Sequence, residues 1–356
     1  MKSTVYHHPL AASATYDDLV AATDQLFAAA GFDRLFQPEE SVAVKLHFGE
    51  GDNPTYLKVP VARALVKCIK AAHGRPFLTD SNTLYGGQRS NAIDHLNLAY
   101  AHGFTPEGVG APVVIADGLL GTDQVNVPIK GKHYQEVPVS AAGHQARALI
   151  AITHVTGHIA TGFAGSIKNI AMGLSSRAGK LSQHSDMLPD VSEERCVACG
   201  TCAERCPVDA ITVGEIAEID EKKCIGCGEC LAVCPNHAIV FTWSESSEGL
   251  QEKMAEHALA VVCRKPGRIG FLNYIYDVTK GCDCFDTPQE PVLKSLAVLA
   301  STDCIAVDRA SVDLMDKHTR GDFFRKLYPH IRYDIQFKHG ESIGLGSTAY
   351  DLVKVT

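Results

Sequence analysis

The chain has 356 residues, of which 46% are hydrophobic and 21% are charged, and its formal net charge is -8. This composition is ordinary for a globular protein with room for one large or two ordinary domains. It argues against a general nucleic-acid-binding protein, which would carry a basic patch. No apolar run is long enough to span a membrane, and Met1–Leu10 lacks the apolar core of a signal peptide.

Strands and helices alternate through most of the chain. Before residue 191 the pattern predicts helix Tyr16–Ala30, ended by Gly31, strand Ser41–Phe48, helix Val59–Ala72, strand Pro76–Thr79, helix Asn91–His102, and strands Val113–Ala116 and Ala148–Ile152. After residue 241 it predicts helix Leu250–Cys263, strands Ile269–Tyr274 and Leu296–Ala300, and helix Cys304–Lys317. This alternation predicts an α/β fold, with a mostly parallel sheet and helices on both faces.

Polar side chains stand where several of these strands end. Lys45 and His47 lie at the end of the first predicted strand, Asp80 follows the second, and His154 and His158 follow Ala148–Ile152. In open α/β sheets, ligands bind at the carboxyl ends of the strands. The sequence therefore predicts a site formed by these side chains. The alternative is that they only cap strands and helices.

The stretch from residue 157 to residue 184 is rich in glycine and cations. It predicts a helix, Ile167–Leu174, with Ser166 as its N-cap. Gly165, Ser166 and Asn169 would then present polar groups to an anion at the helix N-terminus. Lys168, Lys180 and His184 would add a cationic pocket for a carboxylate or phosphate. The alternative is a loop packed with structural glycines.

Two copies of one cysteine spacing dominate the middle of the chain. Eight of the thirteen cysteines form two Cys-x2-Cys-x2-Cys-x3-Cys-Pro runs, which is the bacterial pattern for two [4Fe–4S] clusters. The fourth cysteine of each run ligates the other cluster. The pattern therefore assigns Cys196, Cys199, Cys202 and Cys234 to the first cluster, and Cys224, Cys227, Cys230 and Cys206 to the second. A structural zinc module is the alternative, although zinc sites use four-ligand sets without this double repeat.

Short predicted strands flank these cysteines at Asp209–Val213 and His237–Phe241. Residues 191–241 therefore resemble a small α+β two-cluster ferredoxin module. We expect this module to be inserted into one α/β domain, formed by residues 1–190 and completed by residues 242–356. Two domains in series are the alternative.

A further pair, Cys282 and Cys284, lies in the polar loop Gly281–Phe285. Two adjacent thiolates serve as soft metal ligands or as a redox pair. An additional metal at this pair would need further ligands, for which His154, His158 and His184 are candidates.

The chain as a whole resembles the DUF362 family of iron–sulfur proteins, many of them from anaerobes, in which a ferredoxin module accompanies an α/β domain. The segments that carry the resemblance are Val42–Glu50, Leu78–Tyr85, Ala116–Gly118, Gly157–His158, Gly162–Asn169, Gly179–His184 and Cys282–Phe285. The resemblance implies a cytoplasmic protein with [4Fe–4S] clusters. It implies no particular reaction.

Two functions are compatible with these features. The first is an oxidoreductase that relays electrons through two [4Fe–4S] clusters to an anionic small molecule, held by a set of candidate catalytic residues. These are Lys45, His47, Asp80, His154, His158, Lys168, Lys180 and His184. The second is an electron carrier or metal-centre assembly protein that uses Cys282 and Cys284. Either would exchange electrons with a redox partner protein.

Overall fold

The computed structural model describes residues 2–184, 188–224, 226, 228–240 and 246–355. The predicted ligand Cys227 lies outside these residues, as does Phe241, the last residue of the predicted module. Within the described residues, no helix is long and apolar enough to cross a membrane.

A large sheet is surrounded by helices and by short two-stranded sheets. The strands are β1 (Ser3–Pro9), β2 (Ser41–Lys45), β3 (Arg75–Asp80), β4 (Val113–Ile115), β5 (Gln124–Pro128), β6 (Glu136–Ser140), β7 (Ala148–His154), β8 (Thr156–His158), β9 (Gly162–Ala164), β10 (Asp190–Val191), β11 (Ile211–Val213), β12 (Ala217–Ile219), β13 (Ile239–Val240), β14 (Ile269–Ile275), β15 (Val278–Thr279), β16 (Pro291–Leu293), β17 (Ala297–Ser301) and β18 (Tyr350–Lys354).

The α-helices are α1 (Tyr16–Ala29), α2 (Val59–Ala71), α3 (Ala92–Ala101), α4 (Pro106–Val109), α5 (Ala141–Gln145), α6 (Ser166–Gly173), α7 (Arg177–His184), α8 (Thr201–Glu204), α9 (Glu229–Val233), α10 (Ser247–Val262), α11 (Cys304–Thr319), α12 (Phe323–Leu327) and α13 (Ile335–Ser342). A short 3-10 helix, Phe32–Leu35, follows α1.

The central sheet has eight strands in the order β18-β1-β17-β14-β7-β2-β3-β4. Strand β17 is antiparallel to both of its neighbours, and every other adjacent pair is parallel. The predicted α/β class with a mostly parallel sheet is therefore confirmed. β7 and β14 are neighbours in this sheet, and none of the described cysteine-rich residues between them in sequence forms a strand of it.

Each face of the sheet buries its own hydrophobic core, because alternate residues of a strand point to opposite faces. In β7, Leu149 and Ala151 belong to the core that also contains α6, α10 and α11. Ile150 and Ile152 belong to the core that also contains α1 and α2. A strand buried on both faces forms an apolar run, which is why the sequence identified β7.

Helix α6 begins differently from the prediction. Its N-cap is Gly165 and not Ser166. The backbone N–H groups of Ser166 and Ile167 donate to the two carboxylate oxygens of Asp308 in α11, at 2.7 and 2.9 Å. The predicted use of Gly165 and Ser166 as a free anion site at the helix N-terminus is therefore wrong, since an internal carboxylate already occupies it.

Asp308 also connects α6 with the central sheet. Its carboxylate accepts a hydrogen bond of 2.7 Å from the Asn273 side chain in β14. Burial raises the pKa of Asp308 to about 7, although its three donors oppose this rise. One buried carboxylate thus fixes α6 against β14 and α11, and α6 carries Lys168 and Asn169.

We expect Asp308→Ala to lower the free energy of unfolding by about 3 kcal/mol, because buried N–H donors lose their acceptor. Urea denaturation measures this change. The control is Asp33→Ala at an exposed residue, for which a change within about 0.5 kcal/mol is expected. Equal urea midpoints for the two variants would contradict the structural role of Asp308.

Candidate functional site

A cleft of about 700 Å³ opens at the carboxyl ends of β2, β3 and β7. All eight predicted catalytic residues line this cleft, together with Gly165, Asn169, Cys282 and Cys284, whereas Ser166 does not. The volume is within the usual range of ligand sites. The structure therefore brings together side chains that lie far apart in sequence.

The deepest part of the cleft is an ion-pair network centred on Asp80. Lys45 Nζ lies 3.0 Å from Asp80 Oδ1 and donates to Asn169 Oδ1 at 2.7 Å. Arg89 lies 3.8 Å from Asp80 Oδ2 and donates to Glu50 through Nε at 2.8 Å. Burial alone would raise the pKa of Asp80, but Lys45 and the neighbouring cations hold it well below its usual range. Asp80 is therefore ionised and offsets the charge of two buried cations.

Two further lysines line the cleft, and neither has a carboxylate within ion-pair distance among the described residues. Lys180 Nζ donates to Ser81 Oγ at 2.6 Å and to the Ser175 carbonyl at 2.9 Å. No hydrogen-bond or ion-pair partner of Lys168 Nζ is found in the described part of the chain. Burial lowers the pKa of each lysine to about 8. Both are mainly charged at neutral pH, so this part of the cleft suits an anion.

Two histidines of the cleft are neutral and accept backbone hydrogen bonds through Nδ1. His47 Nδ1 accepts the Gly49 N–H at 2.9 Å, and His158 Nδ1 accepts the N–H groups of Ala160 and Thr161 at 3.2 Å. Burial lowers the pKa of both rings well below the usual value. The single proton of each ring therefore lies on Nε2. In His47 this atom is buried and has no partner within the described residues.

His184 lies at the end of α7 and is half-buried. Burial, and then the neighbouring Lys168 and Lys180, lower the pKa of His184 to about 3. It is neutral in the folded protein at physiological pH. The cations of the cleft are therefore its lysines, Arg89 and one further histidine, whose pKa is raised and not lowered.

That histidine is His154, whose two ring nitrogens both face acceptors. Nδ1 lies 2.9 Å from Asp283 Oδ2, and Nε2 lies 2.7 Å from the Tyr276 carbonyl. Burial lowers the pKa of His154, but Asp283 and the carbonyls outweigh this and raise it. The ring is therefore an imidazolium that positions Asp283, and neither nitrogen is available to a substrate or metal, in contrast to the role predicted for it.

Asp283 lies between Cys282 and Cys284, so its partners hold the loop that carries this pair. Asp283 accepts a hydrogen bond of 2.7 Å from Thr55 Oγ1, and Tyr85 donates to the Cys284 carbonyl at 3.1 Å. Cys282 and Cys284 are bonded to each other. Neither sulfur is a thiolate ligand in this form, and no group of three or more metal-ligating side chains is found among the described residues. A redox pair and an additional metal both remain predictions for Cys282 and Cys284.

The cysteine-rich segment repeats one backbone conformation in its two halves. Ala198 and Gly226 have positive φ at corresponding positions, and so do Gly200 and Gly228. Ala210 N–H points to Cys206 Sγ at 3.2 Å, and Ala238 N–H points to Cys234 Sγ at the same distance. The predicted strands here begin two residues late, at Ile211 and Ile239, because Asp209 and His237 also have positive φ.

The four cysteines predicted to hold the first cluster line one small cavity. These are Cys196, Cys199, Cys202 and Cys234. The Ala217 N–H adds a contact of 3.4 Å to Cys196 Sγ. Of the second predicted set, the structure describes Cys206, Cys224 and Cys230.

The cysteine-rich segment packs against the wall of the cleft. Leu181 of α7 and Leu84, which lines the cleft, share a hydrophobic core with Cys202, Cys230 and Leu231. A Cβ added to Gly86, another residue of the cleft wall, would lie 3.4 Å from the His237 ring. Helix α7 therefore contacts the cysteines with Leu181 and reaches the cleft with Lys180 and His184.

Sequence reasoning missed several residues of this site. Arg89 and Glu50 are buried in the cleft wall, although charged residues in loops usually lie in water. No local pattern marks them. The sequence did indicate that Asp308 is buried, since it lies three residues after Ile305 on the apolar face of α11.

A family model described as "Domain of unknown function (DUF362)" matches residues 42–313 of the chain. A comparison with curated proteins finds no match.

Several solved structures resemble the chain, among them the following two. A protein from Thermotoga maritima is 10% identical, with a TM-score of 0.43, over 94% of this chain and 60% of its own. The lactate racemase apoprotein from Thermoanaerobacterium thermosaccharolyticum is 12% identical, with a TM-score of 0.39, over 78% of this chain and 51% of its own. The chain thus spans little more than half the length of these proteins.

We expect Asp80→Asn to lower the free energy of unfolding by about 3–5 kcal/mol, because it leaves Lys45 and Arg89 buried without their shared carboxylate. Urea denaturation measures the loss. The matched control is Asp351→Asn, which breaks the exposed 2.8 Å ion pair with Lys2 and is expected to cost below about 1 kcal/mol. Similar losses in both variants would contradict the network.

Proposed function

We propose that this chain, which belongs to the DUF362 family, is an iron–sulfur electron-transfer protein that acts as an oxidoreductase on an anionic ligand held in the cleft. One observation carries the proposal: the cysteine-rich segment packs directly on the cleft wall through Leu181 and Leu84. Electron-transfer centres and a ligand site within one packed unit stay close to each other at all times.

The cysteines fit the clusters that their spacing predicts. Four cysteines line one cavity, and backbone N–H groups point at three of the described sulfurs, those of Cys196, Cys206 and Cys234. A single zinc ion would need four donors at about 2.3 Å from one point. In a [4Fe–4S] cluster each cysteine binds a different iron, so the four sulfurs lie farther apart than they do around a single zinc ion. When bound, the two [4Fe–4S] clusters supply one-electron transfer.

The residues of the chain have three tasks in this proposal. Cys196, Cys199, Cys202 and Cys234 hold the first cluster, and Cys206, Cys224, Cys227 and Cys230 hold the second. Backbone N–H groups offset the negative charge on the cysteine sulfurs. Leu181 and Leu84 exclude water from the contact between the cysteines and the cleft.

The cleft binds the ligand through its cations and a neutral histidine. Lys168 and Lys180 have no carboxylate in contact within the described residues, so they hold the anion. His158 carries its proton on Nε2, from which it donates a hydrogen bond to a ligand oxygen, whereas Nε2 of His47 is buried. Asp80 keeps Lys45 and Arg89 in position. His154 keeps the Cys282–Cys284 loop in position.

An electron carrier without a reaction of its own is the second candidate, and the surface of the cysteine-rich segment favours it. Cys199 is exposed, and the neighbouring Val197 is 65% exposed. An apolar side chain beside an exposed cluster ligand suits the docking of a redox partner protein. The oxidoreductase needs the same surface to receive or release electrons, so the two candidates differ only in whether the cleft binds a substrate.

We expect Cys202→Ser to lose the first cluster and to destabilise the segment around it. The electron paramagnetic resonance signal of the dithionite-reduced protein should fall by about half, since one of two clusters is removed. The control is Cys263→Ser, which replaces an exposed cysteine outside the two runs and should leave the signal unchanged. An unchanged signal in Cys202→Ser would contradict the ligand assignment.

We expect Lys168→Met to weaken the binding of inorganic phosphate by at least about tenfold, because a buried charge-assisted hydrogen bond is lost. Calorimetry measures the affinity. In the wild type, phosphate binding should weaken as the pH rises through about 8, the value to which burial lowers the pKa of Lys168 and Lys180.

The control for this measurement is Lys130→Met at an exposed lysine, which should bind phosphate like the wild type. Equal phosphate affinity in Lys168→Met and Lys130→Met would contradict an anion site at Lys168.

A further inference from the structure

The bonded pair of Cys282 and Cys284 lies in the wall of the cleft and has no task in the proposed electron relay. Cys282 is 4% exposed, whereas Cys284 is half-buried. An incoming reactant therefore meets Cys284 first. Both cysteines line the same cleft as Lys168.

A structural role explains this disulfide poorly. A disulfide stabilises a fold mainly by restricting the unfolded chain, and the effect grows with the length of the loop it closes. The two cysteines are separated by a single residue, so their bond restricts the unfolded chain very little. Its value to the protein must therefore lie in its chemistry.

The loop is held in place by contacts that do not involve the two sulfurs. Asp283 is fixed by His154 and Thr55. Gln289 accepts the Gly281 N–H at 2.6 Å and donates to the Cys282 carbonyl at 3.3 Å. Because none of these contacts uses a sulfur atom, we expect the two thiols of the reduced form to stay next to each other and to be able to reclose.

The charges of the cleft determine which reactant fits. The carboxylate of Asp283 between the cysteines is paired with the His154 imidazolium, so the loop does not repel an anion. Lys168, which has no ion-pair partner in the part of the chain that the structure describes, faces the same space. A thiol that carries a carboxylate would find a cation near the disulfide that it attacks.

We propose that Cys282 and Cys284 form a thiol–disulfide exchange site for low-molecular-weight thiols that carry a negative charge. The thiolate of the first thiol attacks Cys284 Sγ, and the bond to Cys282 Sγ breaks. Cys282 leaves as a thiolate and takes up a proton. A second thiolate then attacks the sulfur of the first, which releases Cys284 as a thiolate and forms the external disulfide.

Together these steps oxidise two external thiols to one disulfide and reduce the protein disulfide to two thiols. The reverse sequence oxidises the protein pair. The exchange goes beyond the proposed function, since it needs neither the clusters nor electrons from them. The two proposals can therefore fail separately.

Trypsin digestion gives a direct readout of this pair. Cleavage after Lys280 and Lys294 releases residues 281–294, which contain Cys282 and Cys284 and no other cysteine. The full-length protein is equilibrated with mixtures of reduced and oxidised dithiothreitol, and free thiols are trapped by alkylation. Mass spectrometry then gives the labelled fraction of this peptide. The control is the peptide with Cys263, an exposed cysteine, which should be labelled throughout.

The expected result is a single transition in which both cysteines gain their labels together, with the tenfold change per 29.6 mV of a two-electron couple. In Cys284→Ser, Cys282 should be labelled at every ratio. A peptide that is fully labelled at all ratios, or labelled at one cysteine only in the wild type, would overturn the proposal. So would one metal ion per chain that is lost in the Cys282→Ser/Cys284→Ser double variant.

The preference for negative charge is tested by rates of reduction with 3-mercaptopropionate and with the uncharged 2-mercaptoethanol. After correction for the thiolate fraction of each reagent, the carboxylated thiol should react faster by about tenfold in the wild type, and Lys168→Met should remove this advantage. Lys130→Met is the control and should retain it. Equal corrected rates in the wild type would refute the preference for a charged thiol.

Discussion

The candidate site depends on the burial of several cations at one end of a parallel sheet. Lys45 and Arg89 are stable there because Asp80 and Glu50 lie next to them. Without Asp80, Lys45 would be buried with no carboxylate at ion-pair distance among the described residues, and Arg89 would retain Glu50 alone. Lys168 and Lys180 differ, since their described contacts include no carboxylate within ion-pair distance. The buried network around Asp80 therefore forms one part of the cleft lining, and two further cations of the cleft remain able to bind an anion.

The same end of the sheet supports two other features. The loop that carries Cys282 and Cys284 is held by His154, the last residue of β7, through Asp283. The cysteine-rich segment is held by α7 and by Leu84, which follows β3. Three chemically different groups thus meet around one cleft: cations, a disulfide and the cysteines proposed to bind iron–sulfur clusters. Helix α7 connects the cations with the cysteine-rich segment, because Lys180 lines the cleft and Leu181 packs in the core of that segment.

The sequence predicted the sheet and the cleft well, but it failed where the partners are distant in the chain. β7 and β14 were found because strands buried on both faces are apolar runs. β1 was missed because its alternation includes Tyr6, His7 and His8, which read as polar. The cleft residues at strand ends were found because parallel strands bring their carboxyl ends together. Asp308 was missed as the partner of α6, since a cap supplied by another helix leaves no signal near Ser166.

The central claim is that two iron–sulfur clusters lie beside this cleft. The most direct test is the total content of iron, zinc and acid-labile sulfide in the wild-type protein purified without oxygen. We expect about eight irons and about eight sulfides per chain, which is the content of two [4Fe–4S] clusters. One or two zinc ions per chain with no sulfide would contradict the claim, and would make the cysteine-rich segment a structural zinc module.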